Sequence, residues 1–148
     1  MKIYLQKRNK AFTLVETLVA ISIFTMSILG LISILASGIS NTGYAKQKMA
    51  ATYLAQEGIE YARNVRDTNV LSGAGGWATF ITPTPPSAGR VIPYEITDPD
   101  FSGFSREILI LPVDGTTDEV KISSKVTWRQ GSGIYNVTFS ENLFNWVE

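Results

Sequence analysis

From Phe12 to Ala36 the chain holds one ionisable side chain, Glu16, in an otherwise uncharged and mostly apolar run. Roughly 20 such residues, rising about 1.5 Å each as a helix, cross the core of a bilayer. The run is therefore long enough to span. Lys2, Lys7, Arg8 and Lys10 precede it, and no charge of either sign lies between Glu16 and Lys46. Positive charge on one side of a spanning segment predicts a cytoplasmic amino terminus, with the rest of the chain outside the cytoplasmic membrane. The formal net charge of zero conceals this asymmetry. Four of the 13 bases sit in residues 1–11, and all 13 acids lie beyond them. Without that leader, nine bases face 13 acids, a net of four negative charges. Such a body carries no electrostatic footprint for DNA, so no direct nucleic-acid binding is expected.

Three readings of the amino terminus compete. A secretory signal peptide has a basic start, and Ala36-Ser37-Gly38 has the small-x-small pattern of a cleavage site. Its apolar region, however, is about 7–15 residues long and uncharged. A permanent single-pass anchor on an extracytoplasmic binding domain accounts for the length. It gains nothing from Glu16, because an acid at the bilayer centre costs roughly 2.5–3.5 kcal/mol. The third reading gives the acid a purpose. Lys10-Ala11-Phe12-Thr13-Leu14-Val15-Glu16 resembles the processing motif of type IV prepilins and type II secretion pseudopilins.

That resemblance implies cleavage by a membrane aspartyl peptidase between Ala11 and Phe12, followed by methylation of the new amino group of Phe12. Glu16 is the fifth residue of a chain that starts at Phe12, the position of the family's glutamate. Ala11 stands where the family usually has glycine, and alanine is the next smallest residue. The resemblance also implies partners: other pilin or pseudopilin subunits, the prepilin peptidase, a membrane assembly platform driven by a cytoplasmic ATPase, and membrane lipid. The product is a structural subunit of an extracellular or periplasmic filament. The chemistry is coherent, since an unpaired charge in an apolar medium is costly and a paired one much less so. Glu16 of an incoming subunit can pair with the methylated amine of a subunit already in place and act as a docking charge.

Helical periodicity continues beyond the span. In residues 44–67, Ala51, Leu54, Ala55, Gly58, Ala62 and Val65 fall on one face, with Gln56, Glu57, Glu60, Arg63, Asn64 and Asp67 opposite. The spacings Glu60–Arg63 and Arg63–Asp67 allow weak ion pairs. An unbroken helix from Phe12 to Asp67 would be about 84 Å long, and Gly30, Gly38 and Gly43 are the expected places for a bend or local melting. The wording Leu54-Ala55-Gln56-Glu57-Gly58-Ile59-Glu60-Tyr61-Ala62-Arg63 resembles a stretch of minor pilins of the PilV type.

After Asn69 the composition changes. Residues 71–76 and the proline-rich 82–89 read as loops. Strand-like runs cover residues 77–82, 90–96, 104–111, 119–128 and 134–144. In the fourth, Val120, Ile122, Val126 and Trp128 alternate with Lys121, Ser123, Lys125 and Thr127. The expected fold is α+β: a long helix, apolar in its first half and amphipathic in its second, packed on a small antiparallel sheet of three to five strands. That is the pilin fold the resemblance implies. The expected organisation is a leader at 1–11, a transmembrane and assembly helix at 12–36, its amphipathic continuation at 37–69 and a β head at 70–148.

The head offers little chemistry. The chain has no histidine and no cysteine, which excludes Ser-His and Cys-His arrangements, thiolate metal sites and disulfides. Glu95, Asp98 and Asp100, or Asp114, Asp118 and Glu119, present oxygens a cation could use, but neither set has the spacing of an EF-hand. No phosphate loop and no catalytic pair is evident. The sequence therefore predicts a non-enzyme without cofactor or metal.

Overall fold

The computed structural model describes residues 12–71, 75–82 and 89–146. The chain divides between Gly43 and Tyr44 into two compact units. Ala11, on which the expected cleavage depends, lies outside the described residues.

Residues 12–43 are one extended stretch of helix α1 (Leu14–Leu71) with its entry residues. Helical structure covers Gly30, Gly38 and Gly43, so the local melting expected there does not occur. Almost every side chain of this unit is exposed, including Val15, Ile21, Phe24, Leu31 and Ile34. Its hydroxyls are satisfied locally. Thr17 Oγ1 donates to the Leu14 carbonyl at 2.8 Å, and Ser22, Thr25, Ser27 and Ser37 donate to carbonyls four residues back at 2.8–3.0 Å. A helix that meets its own polar groups in this way suits an apolar surrounding despite its serines and threonines.

The second unit is the head. It holds α1 from Tyr44 onward, a short helix α2 (Gly76–Ile81) and four strands: β1 (Arg90–Ile92), β2 (Phe104–Pro112), β3 (Glu119–Gln130) and β4 (Gly133–Phe144). The strands form an antiparallel meander in the order β1-β2-β3-β4. The α+β expectation of a long helix on a small antiparallel sheet therefore holds, with four strands. Ala51, Leu54, Ala55, Gly58, Ile59 and Ala62 are the buried residues of α1. Val65 is only partly covered, and Ile59, off the expected stripe, is buried.

Two apolar clusters fill the space between helix and sheet. Ala51, Leu54 and Ala55 pack with Val126 and Trp128. Ile59 and Ala62 pack with Phe80, Ile108, Ile110, Val120, Ile122 and Leu143. The head part of α1 thus runs from the Trp128 end of β3 towards its Val120 end, antiparallel to β3 and parallel to β4. Fully burying each such aliphatic side chain stabilises the head by about 1.5–3 kcal/mol.

Residues 77–82 depart from the strand expected of them. Trp77, Phe80 and Ile81 lie on α2 instead. Phe80 is completely buried, the Trp77 indole donates to the Thr117 carbonyl at 2.7 Å, and the Arg90 guanidinium donates to the Thr79 and Phe80 carbonyls. A cation on the last carbonyls of a short helix is a tertiary cap, which no local pattern announces. Strand β1 also ends earlier than expected, at Ile92 rather than 96. Pro93 has no N–H to continue the ladder.

Candidate functional site

The amino-terminal site is built by one turn of helix. Thr13 precedes α1, and its Oγ1 accepts the Glu16 backbone N–H at 3.3 Å, while its carbonyl accepts the Thr17 N–H at 3.2 Å. Thr13 is therefore an N-cap, and Thr13-x-x-Glu16 has the spacing of a capping box. The sequence reading missed this role, although Ser or Thr three residues before Glu is its usual sign. Glu16 lies in the first turn, where the helix dipole favours negative charge. Its carboxylate is exposed and has no ion-pair partner among the described residues. Phe12, 77% exposed, stands immediately outside the helix. The structure so brings Phe12 and Glu16 to the same helix end, with the acid unpaired among the described residues.

In the head, polar side chains fasten the helix to the sheet. Arg106 of β2 is the hub. Its guanidinium, 1% exposed, donates to the Leu54 carbonyl at 2.9 Å and to Glu57 Oε2 at 2.8 Å, and it lies 4.1 Å from the centre of the Tyr94 ring. The Tyr94 hydroxyl donates to Glu57 Oε1 at 2.9 Å, and the Tyr94 ring stacks on Tyr61 at 3.9 Å. Burial raises the Glu57 pKa, but the hydrogen bonds from Arg106 and Tyr94 outweigh it and hold the carboxyl below its ordinary range. The hydrogen bond to Glu57 in turn raises the Tyr94 phenol.

Arg63 makes a second fastening. It bridges Glu60 on its own helix at 3.2 Å and Glu141 on β4 at 2.5 Å. The hydrogen bond with Glu141 raises the arginine further above its ordinary value. The expected Arg63–Asp67 pair does not form; Asp67 pairs with its neighbour Arg66 at 2.8 Å. Between the two fastenings Gly58 lies close against the sheet. A Cβ placed on Gly58 would collide with Ser124 Oγ and press on Arg106 Cδ at 3.1 Å. Glycine there permits the close approach without displacing either side chain.

The acids considered for a cation take local roles. Asp98 accepts the Asp100 N–H at 2.9 Å and caps a 3-10 turn, and Glu119 accepts from the Asn142 amide at 2.7 Å. Among the described residues, no group of three or more potential metal ligands comes together.

Comparison with known proteins is specific at one place. A family model described as the prokaryotic N-terminal methylation motif matches residues 6–40. No curated protein and no solved structure matches the chain. The matched segment includes the capped turn that carries Phe12 and Glu16. It is followed by a helix long and apolar enough to cross a membrane. Motif and fold together point to a membrane-anchored structural subunit that assembles with others of its kind. A methylation motif at residues 6–40 and a long helix packed on a four-stranded antiparallel sheet together support a likeness to the type IV pilins and pseudopilins.

Proposed function

We propose that the chain is a minor pilin or pseudopilin, cut after Ala11, methylated on Phe12 and docked into a filament through Glu16. The observation that carries this reading is the matched motif, with Glu16 exposed in the first turn of an otherwise uncharged, outward-facing segment. Removing residues 1–11 takes away four positive charges that hold the segment in the membrane, and it leaves a cationic terminus one turn from a carboxylate. In an apolar helix bundle, an amine and a carboxylate from different subunits compensate each other only in one register. Burial supplies the affinity, and the pair selects the position. The amino terminus lies in the cytoplasm before assembly, and the head lies outside. The stretch at 54–63 favours the PilV-like minor class within the family.

Mass spectrometry of the mature protein tests this directly. A chain beginning with N-methylated Phe12 is expected; an intact Met1, or a start near Ser37, would overturn the reading. Glu16→Ala is expected to insert normally in the membrane and to be depleted from filaments at least about tenfold, the effect of losing about 1.4 kcal/mol of docking energy. Equal recovery of the two chains from sheared filaments would remove the docking role.

A further inference from the structure

The two edges of the head sheet are treated differently. At one edge, β1 is three residues long and is followed by Pro93, so it presents little ladder to a newcomer. At the other, β4 pairs with β3 over 12 consecutive positions without a bulge. The hairpin closes through Gly131 and Ser132, with Gly131 at φ 58°, and at the far end the Asn145 N–H donates to the Asp118 carbonyl at 2.8 Å. The odd-numbered residues of β4 therefore exchange hydrogen bonds with β3. The even-numbered ones, Ile134, Asn136, Thr138, Ser140, Asn142 and Phe144, turn their N–H and C=O groups outward. None of these six is charged or proline, although such residues are the usual protection of an exposed edge. Among the described residues no other strand pairs with them.

A groove of about 430 Å³ runs beside this edge, between β4 and α1. Ile59 and Phe139 give it apolar surface, and Glu57, Glu60, Glu141 and Arg63 line its sides. Arg106 neutralises Glu57, while Glu60 and Glu141 share Arg63 alone. One negative charge is left uncompensated at the mouth.

We propose that β4 is a strand-addition site, taking an extended segment of a different subunit of the same filament. The added strand hydrogen-bonds to the outward groups of residues 134–144. It sets apolar side chains and a lysine or arginine into the Ile59–Phe139 groove beside Glu60 and Glu141, and hydroxyl or amide side chains over Asn136, Thr138 and Ser140. Backbone pairing supplies the affinity and alternate side chains the selectivity, as in other strand additions. A β4 strand from an identical copy carries Glu141 and no lysine or arginine, so pairing two β4 strands would add a second acid to the uncompensated one rather than neutralise it. A different subunit is therefore the occupant. The source of the strand rests on the filament reading; the site itself does not.

The test uses the full chain in detergent and a probe peptide of about nine residues that alternates threonine with valine and lysine. Amide hydrogen exchange is followed residue by residue. With the peptide near 1 mM, the amides of Asn136, Thr138, Ser140 and Asn142 are expected to slow by about 100-fold, while those of the odd-numbered residues stay as they were. Thr138→Pro removes only an outward N–H, so the head is expected to melt within about 5 °C of the parent yet lose the protection. Asn136→Pro is the second variant, should the first disturb folding. Unchanged exchange at the four amides overturns the proposal. So does slowing that depends on the concentration of the chain without peptide, since the occupant is then a second copy. Failure of the filament reading has a separate signature: the chain is missing from sheared filaments, whatever the peptide does.

Discussion

The two halves of α1 use their apolar side chains in opposite ways. In residues 12–43 the large hydrophobics from Phe12 to Ile39 are mostly exposed among the described residues. From Tyr44 to Leu71 the helix buries small residues, Ala51, Ala55, Gly58 and Ala62, against the sheet. The difference is one of solvent. A segment destined for lipid or for other helices needs no internal partner and only has to satisfy its own hydrogen bonds. A segment in water must hide its apolar face, and small residues let the sheet come close enough to do so. The second half is thus part of the head's core, while the large hydrophobics of the first half stay exposed.

The sharpest way to break this comparison is to delete the same kind of atoms in both regions. Ile122→Ala is expected to destabilise the head by about 2–5 kcal/mol, the range for truncating a fully buried aliphatic. Leu31→Ala is expected to leave head unfolding unchanged. Tryptophan fluorescence reads the head alone, because Trp77, Trp128 and Trp146 all lie there. Comparable losses from both substitutions would show that the halves are not energetically separate.

Gly58→Val probes the close approach of helix and sheet. The added carbons meet Ser124 and Arg106, and overpacking of this kind costs about 1–3 kcal/mol. Gly38→Val has open space around it and serves as the counterpart in the first half, with no effect on the head expected. A denaturant titration of both variants decides whether glycine is required by space or merely tolerated.

Glu57 gives a pH-dependent test. Its carboxyl is held below the ordinary range in the folded head, so over that interval the unfolded chain binds more protons than the folded one. Stability is then complete above the unfolded-state value and declines as the pH falls through the folded one. Glu57→Gln should flatten this acid limb of a melting-temperature profile, and an identical limb in the variant would assign the acid sensitivity elsewhere. The smallest effect is expected from Arg63→Ala. Its ion pairs are part-exposed, so a loss of no more than about 1 kcal/mol is expected, together with faster amide exchange where β4 lies beside α1.

Much of this protein was legible locally. The spanning run and the charge step before it follow from composition along the chain. The alternation of β3 announces its buried face, with Ser124 as the one polar residue on it. The methylation motif is a contiguous string, so it is readable without a fold, and Thr13 as a cap would have been readable on the same terms. What failed was local pattern in the face of distant partners. Residues 77–82 look like a strand and form α2, because Phe80 enters the core and Arg90 caps the helix from another element.

The sequence alone determined that four basic residues precede a long apolar run bearing one acid, Glu16. Periodicity and charge are properties of neighbours along the chain, so they survive without tertiary information. Only the tertiary structure decided that Arg106 joins Glu57 to Tyr94, that Gly58 faces the Ser124 side chain, and that β4 rather than β1 is the longer open edge. Each of these depends on residues far apart in sequence meeting in space, and no local period encodes that.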